Sequence, residues 1–527
     1  MTPEYKEIGT LRSLSEGQSQ FIGSSSGIYF VNTVRRTFAA VAASSAGPSP
    51  EDCIIDAAEP MNKDSNVSSA YISGATPAPM IEKDPTSYRL SVACDIGTPP
   101  SSELARELMM IYFRVWHPIF PFLHGPTFLR DLEIFYSARE SSSSLEPAAI
   151  SRAVTLQCVF NISTLHRPDL RLSASSRIRS PDHILPLLGI LALKCDTASI
   201  QALLAAQLYL IAIMSLRAAS SVGGLVWRSI LKAGLHRCPY RYSHLLSHDR
   251  DIRKRIFWSA YTIDRFLSQA LGHTLGIQDS DFDVCLPGTH DLHDQEGPLD
   301  SPNLGNSPGD TSSHIGASQS NGTERYPSCN PNASEDSVAD DGVQEDDAET
   351  RYALQRRRDR QSVLPYYAEY SKLTGRALEM FHKSIHVRST DQAAILCLKA
   401  DIDSWWNDLP TFLQEYNTGD STQQYPLEDG MTGGTANWGA FFTIEYHQLI
   451  LLTKRPSLSL DPSTPEFRSA LQTCIVAART IINALETLST YGDAPFWPGF
   501  LSGAWMSGLI IVFACQLNLY THSKGLS

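Results

Sequence analysis

Apolar residues recur at helical spacing along most of the chain beyond residue 100. The first stripe consists of four residues on one helical face: Leu104, Leu108, Ile111 and Val115. Ser101 precedes it as a helix-start residue. Pro118 and Pro121 follow it and predict its end, because a proline ring has no N–H with which to continue the helical hydrogen bonds.

Two further stretches before residue 290 predict buried helices. Residues 197–220 are apolar on almost every side, which is typical of a central buried helix. A second stripe is made of six residues: Ile252, Ile256, Ala260, Ile263, Leu267 and Ala270. The charged residues Arg253, Lys254, Asp264 and Arg265 lie largely off this stripe.

Helical periodicity resumes near residue 351 and runs to the end of the chain. It predicts five more helices, over residues 361–385, 391–408, 436–454, 465–488 and 497–518. Alternating strand patterns are scarce throughout. The predicted fold class is therefore all-α, a multi-helix domain interrupted by one long insertion.

The insertion is recognised by its charge. Residues 291–350 contain fourteen acidic residues and a single basic one, Arg325, and so carry the whole net charge of −13. They are rich in Ser, Gly, Pro and Asn and cannot bury enough apolar surface to offset the entropy of ordering, which predicts disorder. The rest of the chain is near neutral, so nothing in its charge demands a nucleic-acid surface.

These breaks in composition divide the chain into four parts. Residues 1–100 are predicted to be mostly flexible, with an ordered island at 21–36. Residues 101–290 are the first part of the helical domain, 291–350 are the acidic insertion, and 351–527 are the second part of the domain.

Residues 23–27 match the G-x-S-x-G pattern of a serine-hydrolase elbow. Such an elbow needs a buried strand before it and a helix after it, whereas polar residues lead in here and β-prone residues follow. We therefore interpret the pattern as a Gly/Ser turn. Asp279, Asp281 and Asp283 imitate a calcium loop, but Val284 stands where such a loop needs glycine.

The spacings of the histidines and cysteines do not indicate a catalytic or metal-binding site either. His244 and His248 are four residues apart, but Leu245 occupies the place of the glutamate that zinc proteases use as a base. The ten cysteines form no CxxC pair and are predicted to be reduced and mostly buried. No catalytic, cofactor-binding or metal-binding residue is predicted.

The sequences at the two ends of the chain indicate where in the cell the protein is expected. The N-terminus lacks a basic stretch followed by an apolar run, so no secretory signal is predicted and the protein is expected to be intracellular. Residues 500–517 carry no charge and reach the lower limit of a membrane span. Ser502, Gly503, Ser507 and Gly508 within them favour a buried core helix over a tail anchor.

Several motifs resemble a known family. They lie at residues 112–124, 126–128, 227–237, 253–265, 271–273, 281–287, 446–450 and 455–456. In this order they are similar to the fungal-specific transcription factor domain, the middle homology region of zinc-cluster regulators. The marker residues, which we interpret as structural, are His117, Pro118, Pro121, Trp227, Gly234, His236, Arg237, Arg255, Phe257, Trp258, Tyr261, Asp264 and Arg265.

The chain departs from the family pattern at its start. Members normally begin with six cysteines that hold two zinc ions and read DNA, followed by a dimerising coiled coil. Only Cys53 and Cys94 precede residue 100. Zinc is therefore expected only in the missing module, and no cofactor is expected in this chain. Residues 21–36 resemble the segment after that module; a truncated gene prediction, a natural short form and a diverged paralogue all fit.

The resemblance implies a nuclear transcription regulator rather than an enzyme. Its expected partners are the transcription machinery or related regulators, with a dimer as a further expectation; DNA is expected only if the missing module is restored, and no membrane is expected. One alternative is a non-DNA-binding modulator of full-length regulators, and another is an enzyme or a tail-anchored membrane protein. A basic run that resembles a nuclear-import signal consists of Arg356, Arg357, Arg358 and Arg360. The competing interpretation is a solvated helix start.

Overall fold

A computed structural model describes most of the chain. The described residues are 9–15, 18–45, 96–140, 147–167, 170–181, 184–287, 363–382, 392–414, 437–490, 497–517 and 519. Within them the chain forms fourteen α-helices and one two-stranded hairpin, which confirms the all-α prediction. The acidic stretch 291–350 lies outside the described residues.

The N-terminal segment is a hairpin that leads into a helix. Strands β1 (Gly9–Ser15) and β2 (Gln18–Gly23) pair antiparallel, and α1 (Gly27–Ser45) follows after a short turn. The sequence predicted neither strand. Their side chains alternate only weakly between apolar and polar, and the pairing depends on backbone hydrogen bonds that leave no sequence pattern. Regular structure therefore begins before residue 21 and continues to Ser45.

The first part of the helical domain contains seven helices. They are α2 (Ser102–Val115), α3 (Gly125–Glu140), α4 (Pro147–Thr164), α5 (Leu185–Leu193), α6 (Thr197–Ala212), α7 (Leu216–Lys232) and α8 (Ser247–Leu271). Helix α2 begins where Ser101 accepts a hydrogen bond from the Leu104 N–H, a standard N-cap. Helix α6 is buried along almost its whole length between its neighbours, as its apolar sequence predicts.

The apolar run 197–220 is two helices rather than one. Helix α6 ends at Ala212, Met214 adopts a left-handed backbone with φ of 62°, and α7 starts at Leu216. The N–H of Ser215 bonds to the Leu210 carbonyl over 2.8 Å, the pattern with which helices commonly end. The left-handed residue after a helix is usually a glycine. Because this position is Met214, the sequence contains no signal that one helix ends and another begins here.

The second part contains six helices. They are α9 (Val363–His382), α10 (Gln392–Asn407), α11 (Thr411–Gln414), α12 (Trp438–Lys454), α13 (Pro465–Thr490) and α14 (Gly499–Gln516). Helix α9 packs against α8 and so joins the two parts. One cluster of buried apolar side chains continues from the first part into the second.

Helix α14 is long and apolar enough to cross a membrane, but 56% of that span is buried inside the protein. It packs against α13, α1 and α12. Phe513 on α14 meets Phe30 of α1 with 6.4 Å between ring centroids and Phe467 of α13 with 6.0 Å. These contacts are those of a helix that contributes to a protein core.

Candidate functional site

Three family markers on α8 belong to a cluster of buried aromatic side chains, which we call the aromatic cluster. Phe257, Trp258 and Tyr261 are fully buried. Their rings surround Phe282, with centroid distances of 4.8, 5.7 and 5.5 Å. The Trp258 indole donates a hydrogen bond of 2.9 Å to the Cys285 carbonyl, which fixes the segment after α8 to the helix.

Arg265 lies beside this cluster with only 1% of its surface exposed. Its guanidinium donates to Asp264 at 2.9 Å, to the Ile277 carbonyl at 3.0 Å and to Asp279 at 2.7 Å. The guanidinium carbon also lies 3.8 Å from the centroid of the Tyr261 ring. A buried guanidinium needs such a set of partners because it cannot lose its charge by deprotonation.

Asp264 connects the Arg265 network to the surface. Its carboxylate also accepts hydrogen bonds from the Trp227 indole at 3.0 Å and from the Gly276 N–H at 3.0 and 3.1 Å. Burial raises the pKa of Asp264, while Arg265 and these two donors oppose the rise. A Cβ on Gly276 would lie 2.5 Å from both the Asp264 carboxylate and the Trp227 ring, so only glycine allows this approach.

Trp227 and Asp264 line an open cleft of about 780 Å³ with both polar and apolar walls. The cleft lies between α7 and the C-terminal half of α8. The remaining side chains at its wall and rim include two arginines, two histidines and two polar groups: Arg228, Arg237, His236, His273, Ser220 and Asp281. Its size suits a small organic molecule.

The surroundings of the two histidines in the cleft lower their pKa values and so favour the neutral imidazole. Burial lowers the pKa of His236, and Arg237 lowers it further. Burial also lowers the pKa of His273, whose Nδ1 lies 3.2 Å from the Ser220 hydroxyl across the mouth. The positive charge at the cleft therefore comes from Arg228 and Arg237, which are exposed.

The markers of the entry motif lie elsewhere. Pro118 and Pro121 are buried in the turn after α2, as the helix-ending role of proline predicts. Burial lowers the pKa of His117 to about 3, with Arg255 and His124 as further causes. Arg255 forms an ion pair with Asp251 one turn earlier on α8. These residues organise the corner between α2 and α8.

Gly234, the remaining marker, ends α7. Its φ of 70° is in the left-handed region that glycine adopts most easily. It thereby directs the chain into His236 and Arg237 at the cleft.

The G-x-S-x-G segment has a different context from the predicted one. The β-prone residues after it form the helix α1, so that part of the prediction was wrong, whereas the polar lead-in forms the strand β2, whose Ser19 and Phe21 are exposed rather than buried. It is nevertheless not a nucleophile elbow. Ser25 lacks the strained left-handed backbone, is 3% exposed, and directs its hydroxyl to the Ser268 carbonyl at 3.5 Å.

Arg455 clamps the same turn onto the helical domain. Its guanidinium donates to the carbonyls of Ser24, Ser25 and Ser26 at 3.3, 2.7 and 2.6 Å. Gly23 packs on Gly272, where a Cβ would come within 1.8 Å of the carbonyl oxygen. The N-terminal segment is thus fixed to the end of α8.

The three aspartates that imitate a calcium loop serve separate purposes. Asp279 pairs with Arg265, and Asp283 pairs with Arg241 at 2.6 Å and accepts the Cys238 N–H at 2.9 Å. Among the described residues there is no group of three His, Cys, Asp or Glu side chains placed to hold a metal. The carboxylates close loops around α8 instead.

The structure adds residues to the site that the sequence did not single out. These are Ser220, Arg228, His273 and Gly276. Arg228 and His273 lie within stretches that resemble the family but were not chosen as markers, and Ser220 and Gly276 belong to no motif; the four meet at the cleft only after α7 and the loop that follows α8 fold together. The basic run Arg356, Arg357, Arg358 and Arg360 lies outside the described residues.

Comparison with known proteins identifies the family. The model of the family described as "Fungal specific transcription factor domain" matches residues 109–409, more than half of the chain. This chain belongs to that family. The match runs from within α2 to the end of α10 and includes all the marker residues of the cleft and of the buried aromatic cluster.

Curated relatives agree with the family. The "Probable transcription factor FUP6" of Fusarium proliferatum is 43% identical, over 99% of this chain and 72% of that protein. An uncharacterized transcriptional regulatory protein of Schizosaccharomyces pombe is 21% identical, over 97% of this chain and 54% of that protein. The "Transcriptional activator protein acu-15" of Neurospora crassa is 25% identical over 53% of this chain and 27% of that protein. No solved structure matches the chain.

Proposed function

We propose that this chain regulates transcription and that a small polar molecule bound between α7 and α8 controls it. The observation that carries the proposal is the convergence of four family markers on one cleft: Trp227, His236, Arg237 and Asp264. Membership of a family of transcription factors supports the regulatory role over a catalytic one. The same markers lie in the region that the family model matches.

The charges at the cleft favour a ligand with an acidic group. Arg228 and Arg237 supply two exposed positive charges at the rim against the one exposed carboxylate of Asp281, and the Asp264 carboxylate is already occupied by its own donors. Guanidinium groups bind carboxylates and phosphates through paired N–H donors. The ligand we propose is therefore a small polar molecule that places its acidic group between these arginines.

A reporter assay tests the regulatory role. The full chain is fused to an unrelated DNA-binding domain, and transcription from a reporter with the matching sites is measured in a fungal host. We expect reporter output to differ from that of the DNA-binding domain alone. An output that equals the baseline under every growth condition would argue against regulation.

Substitution at the rim tests the cleft. Arg237→Ala and Arg228→Ala are expected to change the response of the reporter to nutrient conditions while leaving the thermal unfolding midpoint close to that of the parent. The matched control is Arg468→Ala, an exposed arginine on α13 away from the cleft. Equal responses from all three variants would remove the cleft from the mechanism.

Location and DNA binding are separate parts of the proposal. We expect a tagged chain to accumulate in the nucleus, and replacement of Arg356, Arg357, Arg358 and Arg360 by alanine to reduce that accumulation, with lysine replacements as the control. We propose the transcription machinery or related regulators as partners. The 527 residues contain no six-cysteine module. We therefore expect them to associate with DNA only weakly, in a salt-sensitive way and without sequence preference. Tight, sequence-selective binding at near-physiological salt would contradict this.

A further inference from the structure

We propose that Cys238 and Cys285 form a redox modification site, at which a hydroperoxide converts the two thiols into an intramolecular disulfide. Their sulfur atoms lie 3.8 Å apart although the residues are 47 positions apart in the sequence. Both side chains are buried, and no disulfide joins them in the structure. The sequence predicted unpaired reduced cysteines, because this pairing arises only in three dimensions.

The two cysteines are held in contact by the backbone around them. The Cys238 N–H donates to Asp283, two residues before Cys285, and Asp283 also pairs with Arg241. The Cys285 carbonyl accepts the Trp258 indole N–H at 2.9 Å. A disulfide bond is about 2.0 Å long, so the sulfurs need to approach by somewhat less than 2 Å.

The two residues differ slightly in exposure, and we assign their order of reaction from this difference. Cys238 is 0% exposed and Cys285 is 9% exposed. The Cys285 sulfur attacks one peroxide oxygen, the O–O bond breaks, and the sulfur becomes a sulfenic acid as one water or alcohol leaves. The Cys238 sulfur then attacks the Cys285 sulfur, and water leaves as the S–S bond forms. The peroxide is reduced by the two electrons that the thiols lose.

The disulfide between Cys238 and Cys285 would form reversibly. Proteins inside the cell are kept reduced, and disulfides that form there are usually transient and regulatory. The pair lies directly behind the cleft, since His236 and Arg237 precede Cys238 and line it. The bond therefore restrains one wall of the cleft and closes a loop that contains α8. Formation of the disulfide itself does not depend on the function proposed for the cleft.

Peptide mapping of the full chain tests the inference. Purified reduced protein is titrated with hydrogen peroxide until the exposed Cys397 begins to oxidise; the remaining thiols are then alkylated and non-reduced peptides are analysed by mass spectrometry. We expect a cross-linked peptide pair that contains Cys238 and Cys285 and disappears after dithiothreitol treatment. The oxidised protein is expected to unfold at a higher temperature than the reduced one. Oxidation of Cys397 while both Cys238 and Cys285 remain alkylatable would overturn the proposal.

Single substitutions test the order of reaction. Cys238→Ser should leave Cys285 as a sulfenic acid that dimedone captures, whereas Cys285→Ser should leave Cys238 unreactive. Cys397→Ser is the control and should still form the Cys238–Cys285 bond. Dimedone capture at Cys238 instead of Cys285 would reverse the assigned roles. If either variant fails to fold, the mapping of the unsubstituted chain still decides whether the bond forms.

Discussion

The two parts of the helical domain each bury an ionisable side chain, and they accommodate it in opposite ways. Arg265 on α8 is surrounded by two carboxylates, a carbonyl and an aromatic face. Glu445 on α12 is 4% exposed and has no ion-pair partner within the described part of the chain. Burial raises the pKa of Glu445 to about 7, although the nearby Tyr370 hydroxyl and Trp497 indole lower it in part.

The difference follows from the chemistry of the two groups. Guanidinium does not deprotonate in proteins, so the cost of its burial is offset only by partners. A carboxyl group can take up a proton and become neutral, so it tolerates an aromatic environment without a cation. The first arrangement therefore depends on the integrity of a network, and the second depends on pH.

The largest effect on stability is expected from a substitution in the aromatic cluster, which packs beside Arg265. Trp258→Ala removes a fully buried indole and leaves the Cys285 carbonyl without that donor. We expect a loss of unfolding free energy of about 3–5 kcal/mol, measured by urea denaturation. Trp505→Ala, at a half-exposed position on α14, is the control and should change stability by less than about 1 kcal/mol. Equal midpoints for Trp258→Ala and the parent would show that the indole is not part of the core.

Breaking the network directly is expected to cost slightly less. Arg265→Met keeps much of the side-chain volume but leaves the Asp264 carboxylate without its cation. The expected loss of unfolding free energy is about 3–4 kcal/mol. Arg376→Met is the control, because Arg376 and Asp401 form a half-exposed ion pair at 2.8 Å, which is worth at most about 1 kcal/mol. Similar losses for both variants would mean that burial does not distinguish the two arginines.

The pH dependence of the unfolding free energy tests how the protein accommodates Glu445, the buried carboxyl group of the second part. Its folded pKa of about 7 exceeds that of an unfolded glutamate, about 4.3. Between these values the folded state holds a proton that the unfolded state has lost, so this contribution to stability falls as pH rises through the window. Relative to Glu445→Gln, the parent should lose roughly 2–3 kcal/mol between pH 5 and pH 8.

Urea midpoints of the parent and Glu445→Gln at pH 5 and pH 8 provide the measurement. The control is Glu103→Gln, which changes an exposed glutamate in the first turn of α2 and should follow the parent at both values. If Glu445→Gln and the parent keep a constant difference in midpoint, Glu445 is ionised throughout and a cation must reach it.

The smallest effect is expected from the acidic insertion that separates the two parts. Deletion of residues 296–345, whose composition predicts disorder, should leave the unfolding free energy almost unchanged, since shortening a disordered segment alters mainly its closure entropy, by about 1 kcal/mol or less. Thermal unfolding of the deleted and full chains measures this. A decrease of several kcal/mol would mean that the insertion packs against the helices.

The sequence by itself determined the helical class, most helix positions and the family. The 3.6-residue period placed α2 and α8 because burial of one face requires it, and proline marked the end of α2 because its ring cannot donate. The motifs around Trp227 and residues 253–265 indicated the family, which the family model then matched. Such signals are local, so they survive in the order of residues.

Only the tertiary structure decided the break at Met214, the hairpin before α1, the Cys238–Cys285 contact and the cleft. Met214 takes a turn position for which glycine is the usual signal, and strand pairing in the hairpin depends on the backbone. Arg265 and Glu445 read alike in the sequence, as charged residues within helices. What separates them is the set of groups that neighbouring elements bring within about 3 Å, because hydrogen bonds and desolvation act over distances in space rather than along the chain.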